Sequence, residues 1–244
     1  MDKRFTEETK LTTYDVDEND RWKHVAILRQ MSLISQRHCS LIDAPNADLA
    51  PLGMFWVLLR ARIEMKEYPK AHDTVRITTW ADNERGRIFN RHYVFETAHG
   101  ERLGAATTVW LVLNRQTRQV TRLPLDCKIT QYSATEYEAP MAQPRPIKFG
   151  FPVVATQKRS VMYSDLDENM HMNNTRYAEW ICDLLGYERL HDVQISELQI
   201  NFLHESDCTR TMELELSEQG RSFCVCGYDE QDRTRLFEAE GVLK

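Results

Sequence analysis

Apolar and polar positions follow two alternating rhythms along the chain. In "HVAILRQMSLISQRHCSLI", residues 24–42, Ile27, Met31, Ile34 and His38 recur at helical spacing, which predicts a helix with one packed face. The period then changes. "FWVLLRARIEMKEY", "DTVRITTWA", "RIFNRHYVFETA" and "RLGAATTVWLVLN" mix valine, threonine and aromatic residues with polar alternation, the pattern of strands. "AHGE" at 98–101 reads as the turn of a hairpin between the last two.

The second half repeats this order in shorter form. A helix is predicted from Asn174 to about Tyr187, with Tyr177, Trp180, Ile181, Leu184 and Leu185 on one face. Strands follow in "ISELQINFLHE", "RTMELELSE", "RSFCVCGYDE" and "LFEAEGVL". "IEMKEYPKAHDTVRI" can be laid over "INFLHESDCTRTMEL" without a gap, which predicts an internal duplication. The expected class is α+β, with a single helix packed on each of two curved antiparallel sheets. Between the copies, Pro140, Pro144, Pro146 and Pro152 remove ladder donors and fix φ, so 133–155 is expected to be a semi-rigid connector. The predicted organisation is an N-terminal half over 1–132, the connector over 133–155 and a C-terminal half over 156–244.

Composition narrows the class without naming a chemistry. Of the 244 residues, 42% are apolar and 28% charged, as in ordinary globular proteins. No apolar run approaches the ~20 residues of a membrane span. The start "MDKRFTEETK" has no apolar core of a secretory signal, and the six cysteines form no CxxC pair. The expectation is reduced thiols in a cytoplasmic protein. Cys224 and Cys226 share one face of a strand and read as core packing.

The net charge of -6 argues against nonspecific nucleic-acid binding, yet it is unevenly spread. From Trp80 to Thr130, Arg85, Arg87, Arg91, Arg102, Arg115, Arg118, Arg122 and Lys128 outnumber five acids. Such a segment could receive an acidic partner, or be a solvated face of strands.

The candidate chemistry lies in "YSDLDENMHMNNTRYAEWICD", Tyr163 to Asp183. Asn173 or Asn174 is suited to cap the helix. Asp167, Asn169 and His171 alternate, so an extended stretch would turn a carboxylate, an amide and an imidazole to one side. Free N–H groups near Met172 and Asn173, at the positive end of the helix, would favour a developing oxyanion. The plainer reading is that Asp and Asn close turns and cap helices here. A second polar intrusion adds weight to chemistry: "LQINFLHESDC" alternates apolar residues until His204 and Glu205. In the overlay, Glu205 falls opposite Tyr68, and the first copy lacks a matching Asn-x-His, which suggests one site per chain. Neither a GxSxG elbow nor a Gly-rich phosphate loop occurs, and the histidines lack metal-ligand spacing, so no metal and no cofactor is expected. His38, on a helix face, reads as a satisfied core residue.

"YSDLDENMHMNNTRYAEWI" resembles the signature S-D-x-D-x-N-x-H-x-N-N-x-x-Y of the acyl-acyl-carrier-protein thioesterases. "WVLLRARIEMKEYPKAHDTVRITTW" and "ATTVWLVLNRQTRQVTRLP" look like that family's N-terminal half. The resemblance spans nearly the whole chain. It implies a tandem, or double, hotdog fold and hydrolysis of fatty acyl-carrier-protein thioesters, ending fatty-acid synthesis. Its catalytic positions fall on Asp167, Asn169, His171 and Glu205. Glu205 with His171 would activate water, Asn169 would position water or carbonyl, and Asp167 would hold the loop. Met54, Phe55, Trp56, Asn173, Asn174 and Ser206 are expected to contact substrate, the first three in an acyl pocket of the N-terminal half. Where family members often carry a cysteine after the glutamate, this chain has Ser206. The implied partner is an acidic acyl carrier protein bearing a 4'-phosphopantetheine thioester, and a homodimer is compatible with the family. An acyl-CoA thioesterase, a hotdog dehydratase and a noncatalytic acyl-binding module are the rival readings.

Overall fold

The computed structural model describes residues 3–42, 49–84, 87–124, 127 and 132–244. They group into two compact units, Met1–Pro144 and Arg145–Lys244. The first contains β1 (Phe5–Lys10), α1 (His24–Leu41), β2 (Met54–Met65), β3 (Thr74–Glu84), β4 (Ile88–Thr97) and β5 (Arg102–Asn114). Its strands pair antiparallel in the order β1-β3-β4-β5-β2. The hairpin between β4 and β5 turns at Gly100 (φ 89°), where the Thr97 N–H donates to the Glu101 carbonyl at 2.8 Å.

The second unit contains β6 (Val153–Ser160), α2 (Arg176–Leu185), α3 (Tyr187–Asp192), β7 (Ile195–Phe202), β8 (Thr211–Gln219), β9 (Ser222–Asp229) and β10 (Arg235–Leu243). Its order, β6-β8-β9-β10-β7, is that of the first unit strand for strand. Each unit is therefore one antiparallel sheet with few helices.

In each unit the first strand was not foreseen. β1 buries only alternate residues part-way, and β6 is largely exposed, so neither carries an apolar stripe. Residues 153–155, assigned to the connector by its prolines, begin β6. The second predicted helix is divided at Gly186, whose φ of 87° no helix accommodates. It also starts later than expected, at Arg176, and the Asn173 side chain does not bond the N–H groups of the helix itself. Its carboxamide oxygen instead accepts the Thr175 N–H at 3.0 Å and hydroxyl at 2.8 Å, a local turn that feeds the chain into α2.

Burial follows the two periods. Ile27, Met31 and Ile34 of α1 are buried together with Val75 and Ile77 of β3 and Phe95 of β4. In the second unit, α2 buries Tyr177, Trp180 and Ile181, and β8 buries Met212, Leu214 and Leu216. Cys224 and Cys226 are buried on β9, and burial pushes the Cys224 thiol up to about 11. A buried polar group faces the chain entering this unit. Gln199 Nε2 donates to the Arg145 carbonyl at 2.5 Å, and Asn201 Nδ2 donates to Glu238 Oε1 at 2.8 Å.

Candidate active site

The segment Asp165–Asn173 is a tight loop, not an extended run. The Asp167 N–H donates to the His171 carbonyl at 2.8 Å, the Met170 N–H donates to the Asp167 carbonyl at 3.0 Å, and Met170 sits at φ 63°. The Asp167 carboxylate does not join an alternating row with Asn169 and His171. Its Oδ1 accepts the N–H groups of Asn169 at 2.8 Å and His171 at 3.3 Å, and so holds the loop. Asn169 is exposed at the tip. Below the loop, Asp165 is buried and accepts the Met162 N–H at 2.9 Å and Arg176 Nε at 3.0 Å. Asp165 is a site residue that side-chain alternation does not single out, although its place two residues before Asp167 in the signature marks it.

The loop lies along the segment that leaves β7. Met172 N–H donates to the Ser206 carbonyl at 2.6 Å, and His171 bridges to Asp207. This brings His171 Nε2 to 3.8 Å from Glu205 Oε2, both side chains being roughly two-fifths exposed. That spacing is an ion-pair distance, about 1 Å too long for a hydrogen bond. Groups that act together often close such gaps only around substrate. Ser206 is 2% exposed, its Oγ 3.5 Å from the Tyr177 hydroxyl, and it is turned into the core.

One expectation fails outright. The N–H groups of Met172 and Asn173 are not open to an oxyanion, because Met172 donates to Ser206 and Asn173 donates to the Asp165 carbonyl at 2.8 Å.

The first unit contains the same loop. "DVDEND" at 15–20 corresponds to "DLDENM" at 165–170, a repeat offset the strand overlay did not reveal. Asp17 Oδ1 accepts the N–H groups of Asn19 at 3.0 Å and Arg21 at 2.9 Å. Asp20 takes φ 59°, and the Trp22 N–H donates to the Pro69 carbonyl at 3.2 Å, as Met172 does to Ser206. Arg21 occupies the place of His171 and pairs with Asp17 Oδ2 at 2.9 Å. Tyr68 occupies the place of Glu205, its hydroxyl 3.0 Å from Nε2 of buried His24. Burial pulls His24 down to about 4, so it is neutral there.

The sequence matches the acyl-ACP thioesterase N-terminal domain over residues 2–130 and the acyl-ACP thioesterase C-terminal domain over 153–237. The chain belongs to the acyl-ACP thioesterase family. Among its relatives are an acyl-[acyl-carrier-protein] hydrolase of Cuphea viscosissima, 22% identical over 86% of this chain and 53% of that one. Another is an oleoyl-acyl carrier protein thioesterase of Arabidopsis thaliana, 25% identical over 80% of this chain and 59% of that one. The chain thus spans about half the length of the curated relatives it matches. The crystal structure of an acyl-ACP thioesterase from Bacteroides thetaiotaomicron shares the fold at TM-score 0.88 and 24% identity, covering 99% of this chain and 98% of that one. The 12:0-ACP thioesterase from Umbellularia californica does so at 0.90 and 16%, covering 100% and 98%.

In this member of the family, the bulky run of β2 divides by strand alternation. Met54 and Trp56 pack on the buried cluster of Leu49, Phe89, Val112 and Leu123. Phe55 does not share that face. The Arg115 and Arg118 guanidinium groups lie 5.7 and 4.9 Å from its ring centre. Trp56 lines a cavity of about 120 Å³ in the first unit, together with Phe89 and Trp110. Of the basic segment, Arg87, Arg102, Arg115, Arg118 and Arg122 are exposed. Arg91 is buried and contributes nothing to a surface patch. Arg85 and Lys128 lie outside the described residues. Among those residues no cluster of His, Cys, Asp and Glu could hold a metal ion, and no helix is long and apolar enough to cross a membrane.

Proposed function

We propose that this protein hydrolyses fatty acyl-carrier-protein thioesters, releasing the free fatty acid and the carrier thiol. The observation that carries the reading is the pairing of His171 with Glu205 by the loop that Asp167 holds. Glu205, with His171 beside it, takes a proton from water as the oxygen adds to the thioester carbonyl. The exposed Asn169 carboxamide is the donor for the developing oxyanion, now that the backbone groups of Met172 and Asn173 are engaged elsewhere. The tetrahedral intermediate then collapses with departure of the thiolate, which takes up a proton.

The repeated strand order supports a tandem hotdog, one copy per unit. The exposed arginines 87, 102, 115, 118 and 122 suit an acidic carrier protein, and the Trp56 cavity suits the acyl chain. We place the reaction in the cytoplasm. The test is incubation of the purified protein with acyl-carrier-protein and acyl-CoA thioesters of matched chain length. Free acid released faster from the carrier-protein form is the expected result. Preference for the CoA form would change the substrate, and no free acid from either would remove the reading.

Ser206→Ala is expected to lower turnover only several-fold, the effect of a hydrogen bond worth about 1 kcal/mol. Ser206 is buried and faces Tyr177, away from attack on a substrate. Loss comparable to that of a Glu205 variant in a steady-state assay would make the serine a nucleophile.

Specificity is expected to lie in the first unit. One fitting or clashing methylene changes discrimination by about 1–3 kcal/mol. Trp56→Ala and Met54→Ala should therefore shift the chain lengths released without abolishing hydrolysis. A gas-chromatographic product profile checks this, and a shift confined to substitutions in the second unit would overturn it.

A further inference from the structure

The cavity beside Trp56 is not uniformly apolar. Trp56, Phe89 and Trp110 share its wall with Cys39, Asn90 and Arg91. Arg91 is only 8% exposed. One of its terminal nitrogens lies 3.0 Å from His38 Nδ1 and the other 3.3 Å from Cys39 Sγ. The imidazole brings no countercharge: burial and then the Arg91 charge pull His38 down to about 4, so it is neutral.

The carboxylate on the neighbouring strand is engaged elsewhere. Asp82 accepts Asn90 Nδ2 at 2.9 Å and lies 2.8 Å from His92 Nε2. Burial opposes its ionisation, but those hydrogen bonds hold it below the usual carboxylate range. The Asn90 amide is engaged on both sides, its nitrogen with Asp82 and its oxygen with Gln143 Nε2 at 2.9 Å, and being neutral it supplies no countercharge. Among the described residues, no ion pair compensates Arg91.

A buried guanidinium without a countercharge is costly, and filling the cavity with a methyl-ended chain would strip away what water it has. A guanidinium has five N–H donors, and the two contacts above leave others to point at a guest. The pocket opens to solvent past Ser32 and Gln36, and its size sets the end-group it can hold rather than the length of the chain. A cavity of 150 Å³ in another protein takes benzene, so about 120 Å³ here admits an end-group of roughly four to six heavy atoms.

We propose that this cavity selects acyl chains carrying an oxygen function remote from the thioester, a hydroxyl, oxo or carboxylate group, which accepts hydrogen bonds from Arg91. The inference rests on the thioesterase reading for its substrate but not for its binding step. It differs from a plain fatty-acyl pocket in requiring the distal oxygen.

The test uses matched acyl-carrier-protein thioesters of eight to sixteen carbons, each methyl-ended, ω-hydroxylated or ω-carboxylated. The expected result is kcat/KM at least about tenfold higher for an oxygenated chain than for its methyl-ended counterpart, because a site built for a polar group penalises the analogue that lacks it. The carboxylate leading identifies charge as the selected property, and hydroxyl and carboxylate alike identify hydrogen bonding. Arg91→Met should invert the preference while the His171–Glu205 pair keeps working, and Arg91→Lys should keep part of it. Non-hydrolysable thioether analogues of the same chains, titrated by calorimetry, give the same comparison without turnover. Equal or methyl-favouring binding that Arg91→Met leaves unchanged overturns the inference and leaves the thioesterase intact. Absence of hydrolysis with selective, Arg91-dependent binding overturns the thioesterase and leaves the inference standing.

Discussion

Glu205→Gln is expected to lower kcat/KM for acyl thioester hydrolysis at least about a hundredfold, the low end for a lost acid–base group. Glutamine keeps the shape and removes the proton acceptor. The side chain is roughly two-fifths exposed, so the fold should be indifferent to the change. His171→Ala should lose a similar factor, since its imidazole lies 3.8 Å from the carboxylate and its backbone N–H, which bonds Asp167, is retained. The double variant should be little worse than either single one, because groups acting as a unit are not additive. Single-turnover assays on variants with unchanged circular dichroism read this directly. A folded Glu205→Gln protein with near-normal turnover would take the glutamate out of the reaction.

Phe237→Ala is expected to destabilise the protein by about 3–5 kcal/mol, the cost of emptying a buried aromatic site. The ring is fully buried in β10 and meets Tyr177 edge-on, 4.9 Å between centres. Gly227 across the ladder is shaped to it: a Cβ there would stand 2.1 Å from a ring carbon. Tyr177 in turn packs on Phe202 and reaches Ser206, so the cavity would open directly beneath the loop. Thermal unfolding should show the midpoint falling by roughly 6–20 °C. A loss under about 1 kcal/mol would mean that neighbours collapse into the vacancy and that the ring is not what supports the loop.

Strands with a strong inward stripe were legible in the sequence. β2, β5 and β9 begin and end within a few residues of their patterns, and α1 ends one residue short of its predicted limit. β1 and β6 were not legible because each pairs along one edge only and buries little. Such edges are kept polar, which removes the signal that periodicity needs. Around the loop, residue types were legible and geometry was not. Alternation put Asp167, Asn169 and His171 on one side, but it assumes extended backbone, and the left-handed Met170 folds the run back on itself. Sequence leaves the N–H groups of Met172 and Asn173 open because their acceptors, at Ser206 and Asp165, are carbonyls that no side-chain pattern marks. Arg91 was counted with a basic surface because charge counting cannot tell which arginine lies under a helix.

The twin loops separate what holds a turn from what makes it reactive. Asp17 and Asp167 clamp identical backbones, yet one clamp presents Arg21 and the other His171. A pattern search built on Asp-x-Asp-Glu-Asn would thus return two hits in this polypeptide and could not rank them. Discrimination rests on two addresses per copy, 21 with 68 and 171 with 205. Under the proposed reaction, only the copy in which an imidazole and a carboxylate coincide at both can work as an acid–base pair, and the other is masonry.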